Sequence, residues 1–342
     1  MKLAFFDKNT HLVDFQRHKL FADKHGFNIL SKLNILSLFF CKDKINILIS
    51  DCCQLTSLFK IYFLKINGRI NNIHIFSLEL FNLCYIALID EIQVVLINIY
   101  KKNNIKYLIY LIFIVPIRIT LLRLIIIRSS SSLFVPSKAR ISFLKKKING
   151  NVNFFLLRNK PLKYNLSNLE SPSLGIFNQN IIDIIHSGKF LFIAGRLNNK
   201  IDLLKIASFA KMESLVILVA TNDKIILDDS ISEFPNQIID IGYLNNDLIM
   251  YISSKCLAGI CLYNDKTINQ RLSASSKLFE FLLINKPVIV SNNTGINDEI
   301  NNAAKHLVIT IDKLEHIVQL TQNFNTINEE FSFEYELDNL NF

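Results

Sequence analysis

Lys277 and Glu280 stand three residues apart inside the mostly apolar run SASSKLFEFLLINKPVIVSNNTG at residues 273–295. Ser275 or Ser276 makes a good N-cap, so the pattern predicts a helix from there to about Ile284. Asn285 then falls where a helix turns left-handed, and Pro287 opens a β-branched strand. On such a helix Lys277 and Glu280 share one face. Free N–H groups and partial positive charge at the helix start favour an anion such as a diphosphate, and Lys277 adds a full charge at the same end. Glu280, one turn in, can accept hydrogen bonds from the two hydroxyls of a ribose. The competing reading is a surface ion pair worth about 0.3 kcal/mol.

Other groups offer weaker chemistry. His74 lies on an apolar strand, where a lone histidine reads first as a packed core residue, and Glu79 follows shortly after. Arg140 and Arg158 come just past predicted strands and either line a site or are solvated. Asp228-Asp229 has no third ligand beside it, so no metal site is expected. Six cysteines form neither a C-x-x-C pair nor a cluster with histidine, which argues against structural zinc and for a reducing, cytoplasmic setting.

These residues need positioning elements. Short β-branched runs recur at 45–49, 73–77, 93–98, 133–136 and 153–157, then at 190–194, 215–220, 238–241, 259–262, 287–291 and 307–310. Continuously apolar strands with helix-length spacers predict parallel sheets covered on both faces. Between the two series, residues 159–188 carry Pro161, Pro172, Gly175 and several Asn and Ser, a plausible connection. The expectation is an α/β chain of two doubly wound, Rossmann-like domains facing a cleft, residues 1–165 and 185–325. Ligands in such sheets bind beyond the carboxyl ends of the strands.

At 342 residues, half of them apolar, the chain is long enough for two cores. Its net charge of +9 fits an anionic membrane surface or nucleic acid, or a chain-wide lysine bias with no partner behind it. The charge is dispersed and no nucleic-acid reading motif is present, so nucleic acid ranks last. The apolar run before Asp7 is too short for a secretory signal. Residues 107–127 match a membrane span in length, yet Arg118 and Arg123 each cost about 2.5–3.5 kcal/mol at a bilayer centre. Pro116 adds a kink. Burial in the fold or shallow docking on a membrane face is therefore expected for 105–128. Arg118, Arg123 and Arg128 recur every five residues and make no basic stripe.

The stretch Ser-Lys277-Leu-Phe-Glu280-Phe-Leu-Leu-Ile-Asn-Lys-Pro-Val-Ile-Val-Ser, with Thr294-Gly295 and Glu299, resembles the donor-site signature of glycosyltransferases with the GT-B fold. It is most similar to the retaining, family-4-like (group 1) branch. Phe192-Ile-Ala-Gly195-Arg196-Leu197, ahead of Lys200, resembles that family's Val-Gly-Arg-Leu strand end. Ile241-Gly242-Tyr243-Leu244 resembles the segment lying against the nucleobase. In the first half, Ser132-Leu-Phe-Val-Pro-Ser-Lys-Ala-Arg140 and Phe155-Leu-Leu-Arg-Asn-Lys-Pro161 resemble two strand endings of the family. The likeness covers roughly 70–305. Leu272 stands where many members carry the first of two glutamates, Ile201 replaces a glycine, and the glycine-rich loop after the first strand is missing.

The resemblance implies that Arg196, Lys200 and Lys277 contact the donor diphosphate, with Arg196 and Lys277 as the catalytic pair. It implies that Glu280 holds the ribose, and that Gly195, Gly242, Tyr243, Ser276, Leu278 and Thr294 complete the donor site. His74 and Glu79 fall on the acceptor side. The implied reaction moves a sugar from a nucleotide-sugar to a saccharide or lipid-linked acceptor, with retention of configuration as in that branch. It needs neither metal nor cofactor, and it would serve polysaccharide or cell-envelope synthesis in the cytoplasm or at the inner membrane face. The alternatives are a non-catalytic GT-B-shaped protein that binds a membrane or a partner, and a nucleotide-sugar epimerase.

Overall fold

Short apolar strands, buried in the middle of each sheet and partly exposed at its edges, build two separate parallel sheets of six strands each. In a computed structural model of the chain, the described residues are 1–6, 12–30, 38, 43–51, 54–77, 79–97, 105–127, 130–163, 174–197, 199–273, 275–297, 299, 305–319 and 327–340. The chain forms two compact units. The N-terminal unit comprises Met1–Arg158, Lys266–Ser273 and Asn339–Phe342; the C-terminal unit comprises Asn159–Asp265 and Ala274–Asp338. Arg128 and the cysteines at 41, 52 and 53 lie outside the described residues.

In the N-terminal unit, β1 (Lys2–Phe5), β2 (Asn28–Leu30), β3 (Ile45–Ser50), β4 (Ile70–Phe76), β5 (Ser130–Val135) and β6 (Val152–Leu156) align in the order β2-β1-β3-β4-β5-β6, all parallel. This is the flavodoxin-like winding. β1 and β2 were not anticipated: β1 ends within a few residues of the chain start, and β2 is three residues long at a sheet edge. Of the strand expected at 93–98, Asn98 lies outside the described residues, and residues 93–97 are instead the end of the helix Tyr85–Ile97. Its buried positions, Ala87, Leu88 and Val95, fall on one helical face, which a β-branched run alone does not reveal.

Residues 105–127 form one helix, interrupted by a π-helical turn at Tyr110–Ile114. Pro116 follows directly; its missing N–H and bulky ring are absorbed by such a widened turn. The helix is long and apolar enough to cross a membrane, but one side of it packs into the unit's core through Leu111, Val115, Ile119 and Leu122. Arg118, only 5 % exposed, points inward and donates to Asn82 Oδ1 at 3.1 Å and to the Tyr110 hydroxyl. Arg123 donates to the carbonyls of Leu83 and Lys147 at 3.4 and 3.3 Å.

His18 is buried with its ring stacked on Phe76 at 4.0 Å between centroids, and His74 is buried edge-on to Phe27 at 5.6 Å. Burial first, then the neighbouring Arg17, lowers the His18 pKa to about 3; burial first, then Lys2 and His25, lowers that of His74 to about 4. Both rings therefore stay neutral in the folded chain while the unfolded chain binds protons near pH 6.5. Stability contributed this way is complete above that pH and falls as pH drops toward 4, by about 1.4 kcal/mol per pH unit for each ring. Denaturant midpoints measured from pH 7.5 to 4.5 should decline accordingly, and His18→Phe should flatten the decline.

In the C-terminal unit, β7 (Phe190–Ala194), β8 (Val216–Ala220), β9 (Ile238–Asp240), β10 (Ala258–Cys261), β11 (Val288–Val290) and β12 (Val308–Thr310) align as β12-β11-β10-β7-β8-β9, all parallel. This is the nucleotide-binding order of a doubly wound sheet. Leu191 and Ile193 face one core with the helices Lys200–Met212 and Lys224–Glu233. Phe190, Phe192 and Ala194 face the other with Gln179–Ser187, Asn246–Lys255 and Ser276–Leu283.

Candidate functional site

The order of the second sheet reverses between β7 and β10, and the carboxyl ends of these two strands are where a doubly wound sheet takes its ligand. β7 runs out at Ala194 into Gly195-Arg196. Gly195 takes φ +108°, a conformation closed to most side chains, and donates its N–H to Ala220 O at 2.9 Å. The turn swings Arg196 into solvent, where its guanidinium makes no hydrogen bond or ion pair among the described residues.

β10 ends at Cys261, and the helix Ser276–Leu283 starts beside it. Ser275 is the N-cap, its Oγ accepting the Lys277 N–H at 3.0 Å. The buried Cys261 thiol, pushed up to about 11 by burial, hydrogen-bonds with Ser275 and the Leu278 backbone. Strand end and helix start are thus locked together, one strand away from Arg196. The helix ends as the sequence requires, with Asn285 left-handed at φ +55°.

Lys277 Nζ lies 2.5 Å from Glu280 Oε2, their side chains 24 % and 15 % exposed. Ser276 is the first helical residue, and the Leu278 side chain is buried in the core, leaving only its backbone toward the site. Gly242 donates its N–H to Asp240 Oδ1 at 2.8 Å, and Tyr243 beside it is exposed. Thr294 opens the four-residue helix Thr294–Asn297. Lys200 begins the helix after β7, but its ammonium reaches Glu233 Oε1 at 3.0 Å and Asp229 Oδ2 at 3.8 Å. Its pKa is raised, mainly by the Glu233 hydrogen bond. Among the described residues no cluster of three His, Cys, Asp or Glu is placed to hold a metal.

Residues that sequence reasoning passed over brace these loops. The Asp202 carboxylate accepts from Asn199 Nδ2 and from Ser291 Oγ, each at 2.7 Å, while Ser291 Oγ accepts the Tyr263 N–H at 3.2 Å. One carboxylate so ties the loops leaving β7, β10 and β11. Asp223 accepts the Leu197 N–H at 2.8 Å, binding the β7 and β8 ends together. The signal was available: Asn199-x-x-Asp202 is a reciprocal cap, with Asn199 Oδ1 accepting the Asp202 N–H at 3.1 Å.

Gly259 on β10 lies under Phe281 of the same helix, and a Cβ there would overlap the buried ring. Gly259→Ala should cost about 1–3 kcal/mol by overpacking. Because it lifts the helix carrying Lys277 and Glu280, it should weaken ligand binding as well as lower the melting temperature. A shift in melting with unaltered binding would count against this coupling.

In the N-terminal unit His74 sits within β4 as a packed ring, as described above. Glu79 accepts from Asn269 Nδ2, and its own N–H donates to Asp51 Oδ2 at 3.2 Å. Arg140, buried, donates to Asn269 O and Oδ1 at 3.2 and 2.9 Å and to Ser273 Oγ at 3.1 Å. Ser137 Oγ donates to Leu272 O at 2.7 Å, and the Ile268 N–H to Asp90 Oδ2. The position of Leu272 thus belongs to a segment, Lys266–Ser273, clasped by this unit.

No protein-family model matches the sequence, and no curated protein matches it. Solved structures do resemble it. AviGT4, a glycosyltransferase involved in avilamycin A biosynthesis, aligns with TM-score 0.51 at 8 % identity over 99 % of this chain and 95 % of its own. HepE of Anabaena in complex with UDP aligns with TM-score 0.54 at 11 % identity over 99 % and 98 %, and its complex with UDP and glucose with 0.53 at 12 %. Two six-stranded parallel sheets, one wound in flavodoxin-like order and one in dinucleotide-binding order, give this chain the α/β fold of the GT-B glycosyltransferases.

Proposed function

We propose that the chain is a glycosyltransferase that takes a nucleotide-sugar as donor. The observation that carries this reading is the arrangement at the β7/β10 reversal: an exposed arginine with no polar partner among the described residues on one strand end, and a capped, lysine-bearing helix start beside the next. Arg196, Lys277 and the helix start stabilise the diphosphate as it gains charge on leaving, where catalysis gains most. Lys277 and Glu280 neutralise each other across 2.5 Å; a diphosphate competes for the ammonium while ribose hydroxyls donate to the carboxylate, so one ligand satisfies both. Gly242 and Tyr243 take the nucleobase, with the Leu278 backbone and Thr294 near the phosphates and sugar. Lys200 joins them by giving up its carboxylates. The solved relative that holds UDP supports a nucleoside diphosphate as the recognised group.

Within this reading the acceptor is a saccharide or lipid-linked saccharide. Transfer proceeds with retention and without metal, the departing phosphate assisting the incoming hydroxyl. A second reading, a non-catalytic protein of the same shape, draws on Glu79, a candidate acceptor contact, being engaged by Asn269. Thermal shift and calorimetric titration with UDP and GDP test the donor reading. A ligand at 100 times its Kd adds about 2.7 kcal/mol to stability, which is several degrees in melting temperature for units of this size. No response to any nucleoside diphosphate would sink it; binding without turnover would favour the second reading.

A further inference from the structure

The N-terminal unit holds 25 lysines and arginines against 8 aspartates and glutamates, a net charge of +17, whereas the C-terminal unit holds 13 against 21, a net of −8. The chain's net positive charge therefore comes from one unit, although along the sequence its basic residues look dispersed. That unit also turns apolar side chains outward. Helix 105–127 buries Arg118 and exposes Ile105, Ile109, Phe113 and Ile117 along one stripe, with Phe113 63 % exposed, the inverse of an ordinary surface helix. Helix Leu55–Ile66, packed alongside, exposes Phe59 and Phe63 one turn apart, 53 % and 45 %. Helix Tyr85–Ile97 on the other side is joined by a hydrogen bond between the Tyr85 hydroxyl and Thr120 Oγ1 at 2.6 Å, and it exposes Ile86 and Ile89.

Helices 55–66 and 105–127 contain no acidic residue. The two on the third helix are engaged by the segment Lys266–Ser273: Asp90 by the Ile268 N–H, Glu91 by the Thr267 hydroxyl. Exposed lysines frame the apolar area. Lys106 lies at one end of the long helix, and Lys145, Lys146 and Lys147 lie at the other, joined to it by the Arg123 bond to Lys147 O.

We propose that this face of the N-terminal unit docks on an anionic lipid bilayer, inserting its isoleucines and phenylalanines to the depth of the headgroups while the lysines meet lipid charge. The helix lies in the interface and does not span, because its arginines are held inside the protein. A second copy of the chain is disfavoured as occupant, since a twofold contact would set one +17 unit against another. The inference is independent of the donor reading, and its test needs no nucleotide.

The full chain should co-sediment with vesicles of phosphatidylcholine containing about one-third phosphatidylglycerol, and at least about tenfold less with phosphatidylcholine alone. Phe59→Ser with Phe113→Ser, and separately Lys146→Glu with Lys147→Glu, should each reduce the bound fraction on anionic vesicles about tenfold. Both pairs change exposed side chains, and circular dichroism and melting should match the parent. The proposal is overturned if the parent chain ignores anionic vesicles, or if the phenylalanine pair binds as the parent does. It also falls if sedimentation velocity without lipid finds a dimer that this pair dissociates, for then a second copy covers the face.

Discussion

On the proposed donor reading, Arg196→Ala and Lys277→Ala should each lower sugar transfer about 10²–10³-fold while the chain stays folded. The magnitude follows from removing a charged donor from a group whose charge grows in the transition state. Arg196 is exposed and makes no hydrogen bond or ion pair among the described residues, so its loss should leave melting nearly unchanged. Lys277→Ala leaves Glu280 without its partner at a site that is only part-buried, so at most about 1 kcal/mol of stability goes with it. The loss should appear in kcat and in kcat/KM, and Arg196→Lys should restore charge but not the bidentate geometry, giving an intermediate rate. Glu280→Gln should act differently, raising KM for the donor with a smaller change in kcat. Unchanged turnover in both alanine variants would end the assignment of these residues.

Glu336→Ala should cost about 3–5 kcal/mol, the largest stability effect expected of any single change considered. Lys160 Nζ lies 2.7 Å from Glu336 Oε2, with side chains 6 % and 9 % exposed, and it also donates to Glu330 O at 2.7 Å. The Phe333 N–H donates to Pro161 O at 2.7 Å, and Lys163 pairs with Glu329 at 2.5 Å. The last helix, Phe333–Asp338, is thereby fastened to the residues that open the C-terminal unit. Removing Glu336 leaves a buried ammonium with one carbonyl, whereas Lys160→Met combined with Glu336→Leu removes both charges and should recover most of the loss. Chemical denaturation of the three chains measures this; a double variant as unstable as the single would show that packing, not charge, carries the site.

Much of this architecture is legible in the linear chain because parallel strands buried on both faces must be continuously apolar. The second sheet follows from that pattern strand by strand, and the Ser275 cap, the left-handed Asn285 and the Lys277–Glu280 pairing follow from local rules. What escapes is long-range. A β-branched run such as 93–97 is helical because of what it packs against, and β2 is too short to signal itself. Arg118 looked like a charge scattered on an apolar helix; it is a buried donor because Asn82, 36 positions away, accepts it. The partners of Lys200 and Glu79 were equally invisible, since Glu233 and Asn269 come from distant stretches.

The detour of Lys266–Ser273 has a consequence for how the protein is made. Its contacts join positions up to 190 apart, among them Asn269 to Glu79 and Ile268 to Asp90. Domains ordinarily mature in turn as they leave the ribosome. Here the first 158 residues emerge lacking the strand of chain that satisfies Arg140, and they wait until more than a hundred further residues are translated. A fragment cut after Arg158 would carry the same deficit permanently, so vectorial synthesis must end with a late stitch that closes what was begun first.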